Sequence, residues 1–315
     1  MYAVGIDIGG TNTKYGIADK EGHIHFQSRV KTRKYTDYMD LIRAIFDDLL
    51  ERYSIDDILG VGVGAPNGNF YNGSIEFPPN LPWPELTRFA EGVEQVIGHN
   101  KKCTLTNDAN AAALGEMYYG NAKGMDAFVV ITLGTGLGAG VVTHGDLIYG
   151  KHGLAGELGH TLVSIHGRDC ACGKVGCLET YVSATGIRRT IYKLLADHLE
   201  PSLLRGVSFD DLSTRFITEA AEKGDFIALE AFRYTGNILG MKLSDFIIHT
   251  NPEKIFMMGG LARAGEFLFK PARESMEKHL MPLFKNRGIE LLPSGLKDDD
   301  APILGASSLV WKYLV

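Results

Sequence analysis

The chain has 315 residues, of which 45% are hydrophobic, enough to bury a core in each of two lobes. A formal net charge of −6, with no basic block or stripe, excludes a general nucleic-acid binder, because nothing is there to neutralise a run of phosphates. Four cysteines, no signal peptide and no apolar stretch long enough to cross a bilayer point to a cytoplasmic protein in a reducing compartment, without a membrane partner.

The apolar run Tyr2 to Ile6 delivers Asp7, followed by Ile8, Gly9, Gly10, Thr11, Asn12, Thr13 and Lys14. Tyr15 to Ala18 then reads as a second strand, so the glycines form a hairpin turn. A Walker loop or a dinucleotide fingerprint would open a helix at this point, and neither applies. What remains is a tight turn whose bare amides, with the Thr11 and Thr13 hydroxyls, can approach a phosphate, and whose Asp7 can hold a metal ion or its waters. Next, Tyr38, Leu41, Ile42, Ile45, Phe46, Leu49 and Leu50 repeat at three-four spacing behind Asp37, which predicts a capped helix. Ile58 to Val63 reads as a buried strand, Leu86 to Ile97 as a helix and Cys103 to Thr106 as a short strand. That strand ends on Asn107 and Asp108, and the alanine-rich run from Ala109 to Tyr119 reads as the following helix. Asp108 therefore stands at the C-terminal end of a strand, where open α/β sheets bind ligands. It is either a plain helix cap or the carboxylate that takes the proton of an alcohol attacking a phosphate, with Asn107 orienting a second hydroxyl of the acceptor.

The pattern returns where Phe128 to Leu133 runs into Gly134, Thr135, Gly136, Leu137 and Gly138 and on to Val142, which suggests duplicated lobes. Gly259 and Gly260 follow a third apolar run, Ile255 to Met258. Three glycine turns at strand ends can line one cleft around a nucleotide. Between Gly156 and Glu179 lies the densest chemistry: Cys170, Cys172 and Cys177 fall within eight residues, beside His160, His166, Glu157 and Glu179. A disulfide among them would be strained or local, whereas three converging sulfurs and one imidazole suit tetrahedral Zn²⁺ in a closed, structural site. The fourth ligand is then His160 or His166. Glu157 and Glu179 offer acceptors for a hydroxyl-rich ligand such as a polyol. Asp225 to His249 is a long helix, either core or a dimer face, and Asp298 to Asp300 a solvated turn before a last helix, Pro302 to Tyr313, suited to packing back on the first sheet.

These residues resemble the ROK family (repressors, open reading frames and sugar kinases) over essentially the whole chain, and most closely its bacterial glucokinases. Asp7 to Lys14 resembles the family's first phosphate motif, Leu133 to Gly138 the second, and Met258 to Gly260 its adenosine-side turn. Glu157-Leu158-Gly159-His160 resembles its sugar-binding signature and Cys170 to Glu179 its zinc signature, and both are highly specific. The resemblance implies two α/β lobes of the actin-like ATPase (ribonuclease H-like) type with the active site in the interlobe cleft, divided as 1–107 with 301–315 against 108–300. It implies Asp108 as catalytic base; Asn80, Asn107, Glu157, His160 and Glu179 as sugar contacts; and structural Zn²⁺ on His160, Cys170, Cys172 and Cys177. ATP and Mg²⁺ would be held by Asp7, Gly9, Gly10, Thr11, Thr13, Lys14, Gly134, Thr135, Gly136, Gly259 and Gly260. The implied reaction is transfer of the γ-phosphoryl of ATP to the 6-hydroxyl of a hexose, glucose first, with N-acetylglucosamine, N-acetylmannosamine or fructose as alternatives and polyphosphate as another donor. A homodimer or homotetramer is implied too. A sugar-responsive repressor would carry a helix-turn-helix before the first motif, where this chain has only Met1 to Ile6. One departure stands out: Ala65-Pro66-Asn67-Gly68 replaces the proline-glycine of many members.

Overall fold

The computed structural model describes residues 1–78, 81–98 and 100–315. β1 (Tyr2–Ile8), β2 (Asn12–Ala18) and β3 (Ile24–Lys31) form an antiparallel meander in which Asp7 faces Lys14 across the first glycine turn. α1 (Tyr38–Leu50) is capped by Asp37, whose carboxylate accepts a hydrogen bond from Met39 N, and it buries the Leu41, Ile42, Ile45, Phe46 and Leu49 stripe. β4 (Ile58–Ala65) returns parallel to β1 and sets Gly64 opposite Asp7. β5 (Gly68–Asn69), β6 (Ser74–Glu76) and β7 (Leu86–Thr87) make a small antiparallel sheet before α2 (Phe89–Ile97). Leu86 and Thr87 are thus not the first turn of a helix, as their apolar spacing suggests; they pair with Glu76 and Ile75. Arg88, which precedes the helix, supplies no side-chain cap, so ladder bonds satisfy that backbone better than a further uncapped turn. β8 (Lys102–Asn107) pairs parallel with β4, setting Asn107 opposite Ala65, and α3 (Asp108–Tyr119) begins at the next residue.

β9 (Phe128–Leu133), β10 (Leu137–Thr143) and β11 (Asp146–Leu147) flank the second turn. Then come α4 (Ala184–Asp197), α5 (Thr214–Glu222), α6 (Phe226–Thr250), β12 (Lys254–Met258), α7 (Glu266–His279), β13 (Glu290–Pro293) and α8 (Ala301–Tyr313). Among the described residues the first large sheet has the order β3-β2-β1-β4-β8 and the second β11-β10-β9-β12-β13. The two orders match position by position, with parallel pairs β1·β4·β8 answering β9·β12·β13. Two mixed sheets of the same order, with helices beside them, are the duplication announced by the two glycine turns, and they give the actin-like ATPase type of fold.

The chain packs as two compact units, the first of 1–126, 140–156 and 294–315 and the second of 127–139 and 157–293. The first is larger than the expected 1–107 with 301–315, because α3 packs on α8 and β4. Buried Glu116 of α3 also accepts hydrogen bonds from Gly295 N at 2.8 Å and Asn121 N at 2.7 Å, which fastens the approach to α8 to this unit. In the second unit α6 is largely core: Phe232, Leu239 and Leu243 are buried among contacts with α4 and α7, while Phe226 and Leu229 stay at the surface. No helix of the described residues is long and apolar enough to cross a membrane.

Candidate active site and metal centre

In the first unit, three neighbouring parallel strands bring their C-terminal ends to one place. β1 carries Asp7 next to its last residue, β4 ends with Gly64 and Ala65, and β8 with Asn107 followed by Asp108. Asn107 is the helix cap, its Oδ1 accepting from Ala109 N at 2.9 Å. Asp108 Oδ1 accepts from the same amide at 2.8 Å, so the carboxyl is oriented by the helix start and its other oxygen takes no part in that bond. Asp108 is exposed as a residue, yet the protein packed round its carboxyl takes away part of its hydration. That loss raises its pKa against the opposing Ala109 hydrogen bond. Burial likewise pushes the Asp7 carboxyl up to about 7, helped by the charge of Asp108 and opposed by Lys14. Gly64 leaves room between the two acids: a Cβ there would lie 3.7 Å from Asp7 Oδ1, 3.6 Å from Asp108 Cα and 3.2 Å from Ala111 Cβ. Two carboxyl groups at strand ends on either side of β4 suit a proton acceptor beside a cation or phosphate.

The first glycine turn is closed by hydroxyls. Thr13 is fully buried and its Oγ1 lies 2.9 Å from Thr32 Oγ1, while Thr32 donates to Gly9 O at 2.7 Å. The Thr13 hydroxyl is therefore spent on holding the turn, whereas Thr11 is exposed at its tip. Arg33 Nε donates to Gly10 O at 3.2 Å, and Lys14 Nζ lies 3.8 Å from Asp299 of the acidic run. None of the partners Thr32, Arg33 and Asp299 was legible as such, because each lies far along the chain from the turn.

In the second unit, Gly134 N donates to Gly136 O at 3.0 Å, and the start of α4 closes on the same turn through Ala184 N to Gly134 O at 2.9 Å and Thr185 Oγ1 to Thr135 O at 3.2 Å. Glu179 Oε2 accepts from Leu137 N at 2.9 Å. Gly259, with φ of 97°, follows β12, the parallel neighbour of β9, and Leu261 N donates to Leu133 O at 3.2 Å. The second and third glycine turns therefore adjoin, as one nucleotide site needs.

The thiol cluster is also assembled. The ligand atoms of His160, Cys170, Cys172 and Cys177 all lie within 4.8 Å of one another. Cys172 Sγ is 3.7 Å from Cys177 Sγ, and Cys170 Sγ 3.7 Å from His160 Nδ1. A zinc tetrahedron with Zn–S of about 2.3 Å and Zn–N of about 2.0–2.1 Å has edges of roughly 3.6–3.8 Å, which the two 3.7 Å separations match. His160 turns its other nitrogen, Nε2, to within 3.8 Å of Glu157 Oε2. His166 is an exposed loop residue. Arg168 holds the loop from below, donating to Thr180 O at 2.8 Å, Gly186 O at 2.9 Å and Thr190 Oγ1 at 2.9 Å with its guanidinium over Tyr181. Lys174 Nζ donates to His160 O at 2.8 Å. Neither Arg168 nor Lys174 was singled out by sequence, although both stand within the cysteine loop. Asn80 lies outside the described residues. Asn67, in the departure from the family pattern, has a left-handed φ of 53° and donates to Phe77 O at 3.1 Å, which closes the loop leading to Asn80.

Comparison with known proteins bears on the whole chain. The ROK family pattern matches residues 3–313. The chain is 37% identical to a glucokinase of Thermotoga maritima, over 98% of this chain and 96% of that protein. It is 34% identical to a glucokinase of Halalkalibacterium halodurans, over 98% and 94%. Its fold is similar, with a TM-score of 0.84, to the crystal structure of a ROK family glucokinase from Streptomyces griseus in complex with glucose and AMPPNP, at 31% identity, covering 99% of this chain and all of the other. The chain belongs to the ROK family.

Proposed function

We propose that this protein is an ATP-dependent hexose kinase that transfers the γ-phosphoryl of ATP to the 6-hydroxyl of glucose. The observation that carries the reading is the crowded carboxyl of Asp108 at a strand end beside Asp7, in a chain alike over its full length to glucokinases. Asp108 accepts the hydroxyl proton as the oxygen attacks phosphorus, and its raised pKa makes it the stronger base. Asp7, with Lys14 across the ladder, serves Mg²⁺ and the phosphates. The amides of the Gly9–Thr11, Gly134–Gly136 and Gly259–Gly260 turns offset charge on the transferred group. Glu157, His160 and Glu179, with Asn107 and Asn80, accept or donate to the hexose hydroxyls. His160, Cys170, Cys172 and Cys177 would hold zinc, which supplies rigidity to that loop and leaves His160 Nε2 free to meet Glu157 or the sugar.

The test is ADP release with Mg-ATP, and sugar-phosphate formation with polyphosphate as a second donor, against a panel of hexoses and N-acetylhexosamines, scored as kcat/KM. The expected result is glucose at least about tenfold above the rest, roughly 1.4 kcal/mol of transition-state discrimination. No release with any sugar overturns the kinase reading.

A further inference from the structure

Glu179 has a geometry that contact with a sugar does not account for. Its Oε2 accepts the Leu137 amide at 2.9 Å, the bond at the point where the second glycine turn enters β10. The same oxygen occupies the space in which a side chain at residue 136 would begin, since a Cβ on Gly136 would lie 2.2 Å from it. Glu179 is itself held firmly. It belongs to a single 3-10 turn, Leu178–Thr180, that starts beside Cys177, with Leu178 N donating to Thr161 O at 2.9 Å and Thr180 Oγ1 to Cys177 O at 2.7 Å. Arg168 fixes the Thr180 carbonyl from the other side. A negative charge under a turn meant for phosphates is electrostatically unfavourable to them, so its presence calls for a geometric return. The return is a charge-assisted bond to the amide at the junction of the turn and β10.

We propose that Glu179 is a positioning residue for the 134–136 turn: by holding the Leu137 amide it sets the turn's exposed amides, so that the cysteine loop controls nucleotide affinity. This rests on the proposed function, in which 134–136 takes phosphates.

The experiment compares wild type, Glu179→Ala, Glu179→Gln and Gly136→Ala by two readouts taken without sugar: amide hydrogen exchange at Leu137, and calorimetric affinity for Mg-AMPPNP. Glu179→Ala should exchange the Leu137 amide about tenfold faster or more and weaken AMPPNP about tenfold, the scale of one charge-assisted hydrogen bond. Glu179→Gln should recover most of both, because its carbonyl oxygen can accept the same bond. Gly136→Ala should displace Glu179 and speed Leu137 exchange, and if Glu179→Ala does not fold, Leu137 exchange and AMPPNP affinity in Glu179→Gln against Glu179→Leu decide the matter. Unchanged Leu137 exchange and AMPPNP affinity in Gly136→Ala and Glu179→Ala, with only sugar binding lost, overturns the proposal. Faster Leu137 exchange in a protein whose wild type binds no AMPPNP keeps the anchor and overturns the kinase reading together with the nucleotide half of the proposal.

Discussion

The two glycine turns occupy equivalent places, between the central strand and its hairpin partner in sheets of matching order, yet they are closed by different chemistry. The first is tied by hydroxyls, Thr13 to Thr32 and Thr32 to Gly9 O, and by Arg33 to Gly10 O, all within one sheet and the segment that follows it. The second is tied by the start of α4 and by the carboxylate of Glu179, carried by a loop 42 residues away that also bears the thiol cluster. Duplication of a strand-turn-strand unit thus preserves the backbone while leaving each copy free to recruit its own anchor. The first turn is self-sufficient, and the second depends on a loop whose order comes from elsewhere.

The largest effect tests which unit holds the chemistry. Asp108→Asn should lower kcat by about two to four orders of magnitude while glucose binding is largely kept, since the amide can hydrogen-bond a hydroxyl but cannot take its proton. Calorimetry on the variant separates the two, and near-normal turnover would sink the assignment. Next comes the dependence of the second turn on its loop. Stripping metal with a chelator, or Cys177→Ser, should lower Tm by several degrees and speed amide exchange around Leu137, while Thr13 beside Thr32 keeps its protection. Equal loosening of both turns would show that the first is no more independent of the cysteine loop than the second.

A third test lies in pH. Asp7 has a folded pKa of about 7 against an ordinary 3.8, so between these values the folded chain binds more protons than the unfolded one. Its contribution is fully present below about pH 4 and is lost as pH rises through about 7. The ligand-free protein should therefore lose stability across that window from this residue. Asp7→Asn should remove that part of the slope and raise Tm at pH 7 by a few degrees, as thermal unfolding across pH can check. A flat profile in wild type would show that Asp7 is not held in this way. The smallest effect is expected at the first turn. Thr32→Val removes one buried hydroxyl pair and should cost about 1 kcal/mol by denaturant unfolding, with less change in AMPPNP affinity than Glu179→Ala produces.

Local signals carried a good deal of this protein. The α1 stripe behind Asp37, the strand from Phe128 to Leu133, and the long helix beginning near Asp225 were legible because periodicity and capping act over a few residues. Likewise, three cysteines and a histidine so close in sequence could meet with little loop entropy, and they do. Leu86 and Thr87 were misread because their partners in β6 outweigh helical spacing, an influence no local window contains.

Sequence by itself determined the two strand-turn-strand units, the acid at the strand end and the composition of the thiol cluster, since each depends on residue type at short spacing. Tertiary structure alone decided that Thr13 turns inward to Thr32, that Arg168 braces the cysteine loop, and that Glu179 reaches Leu137. Such contacts are selected by packing over tens of residues. There the cost of leaving a buried polar group unpaired chooses the partner, and spacing along the chain carries no record of it.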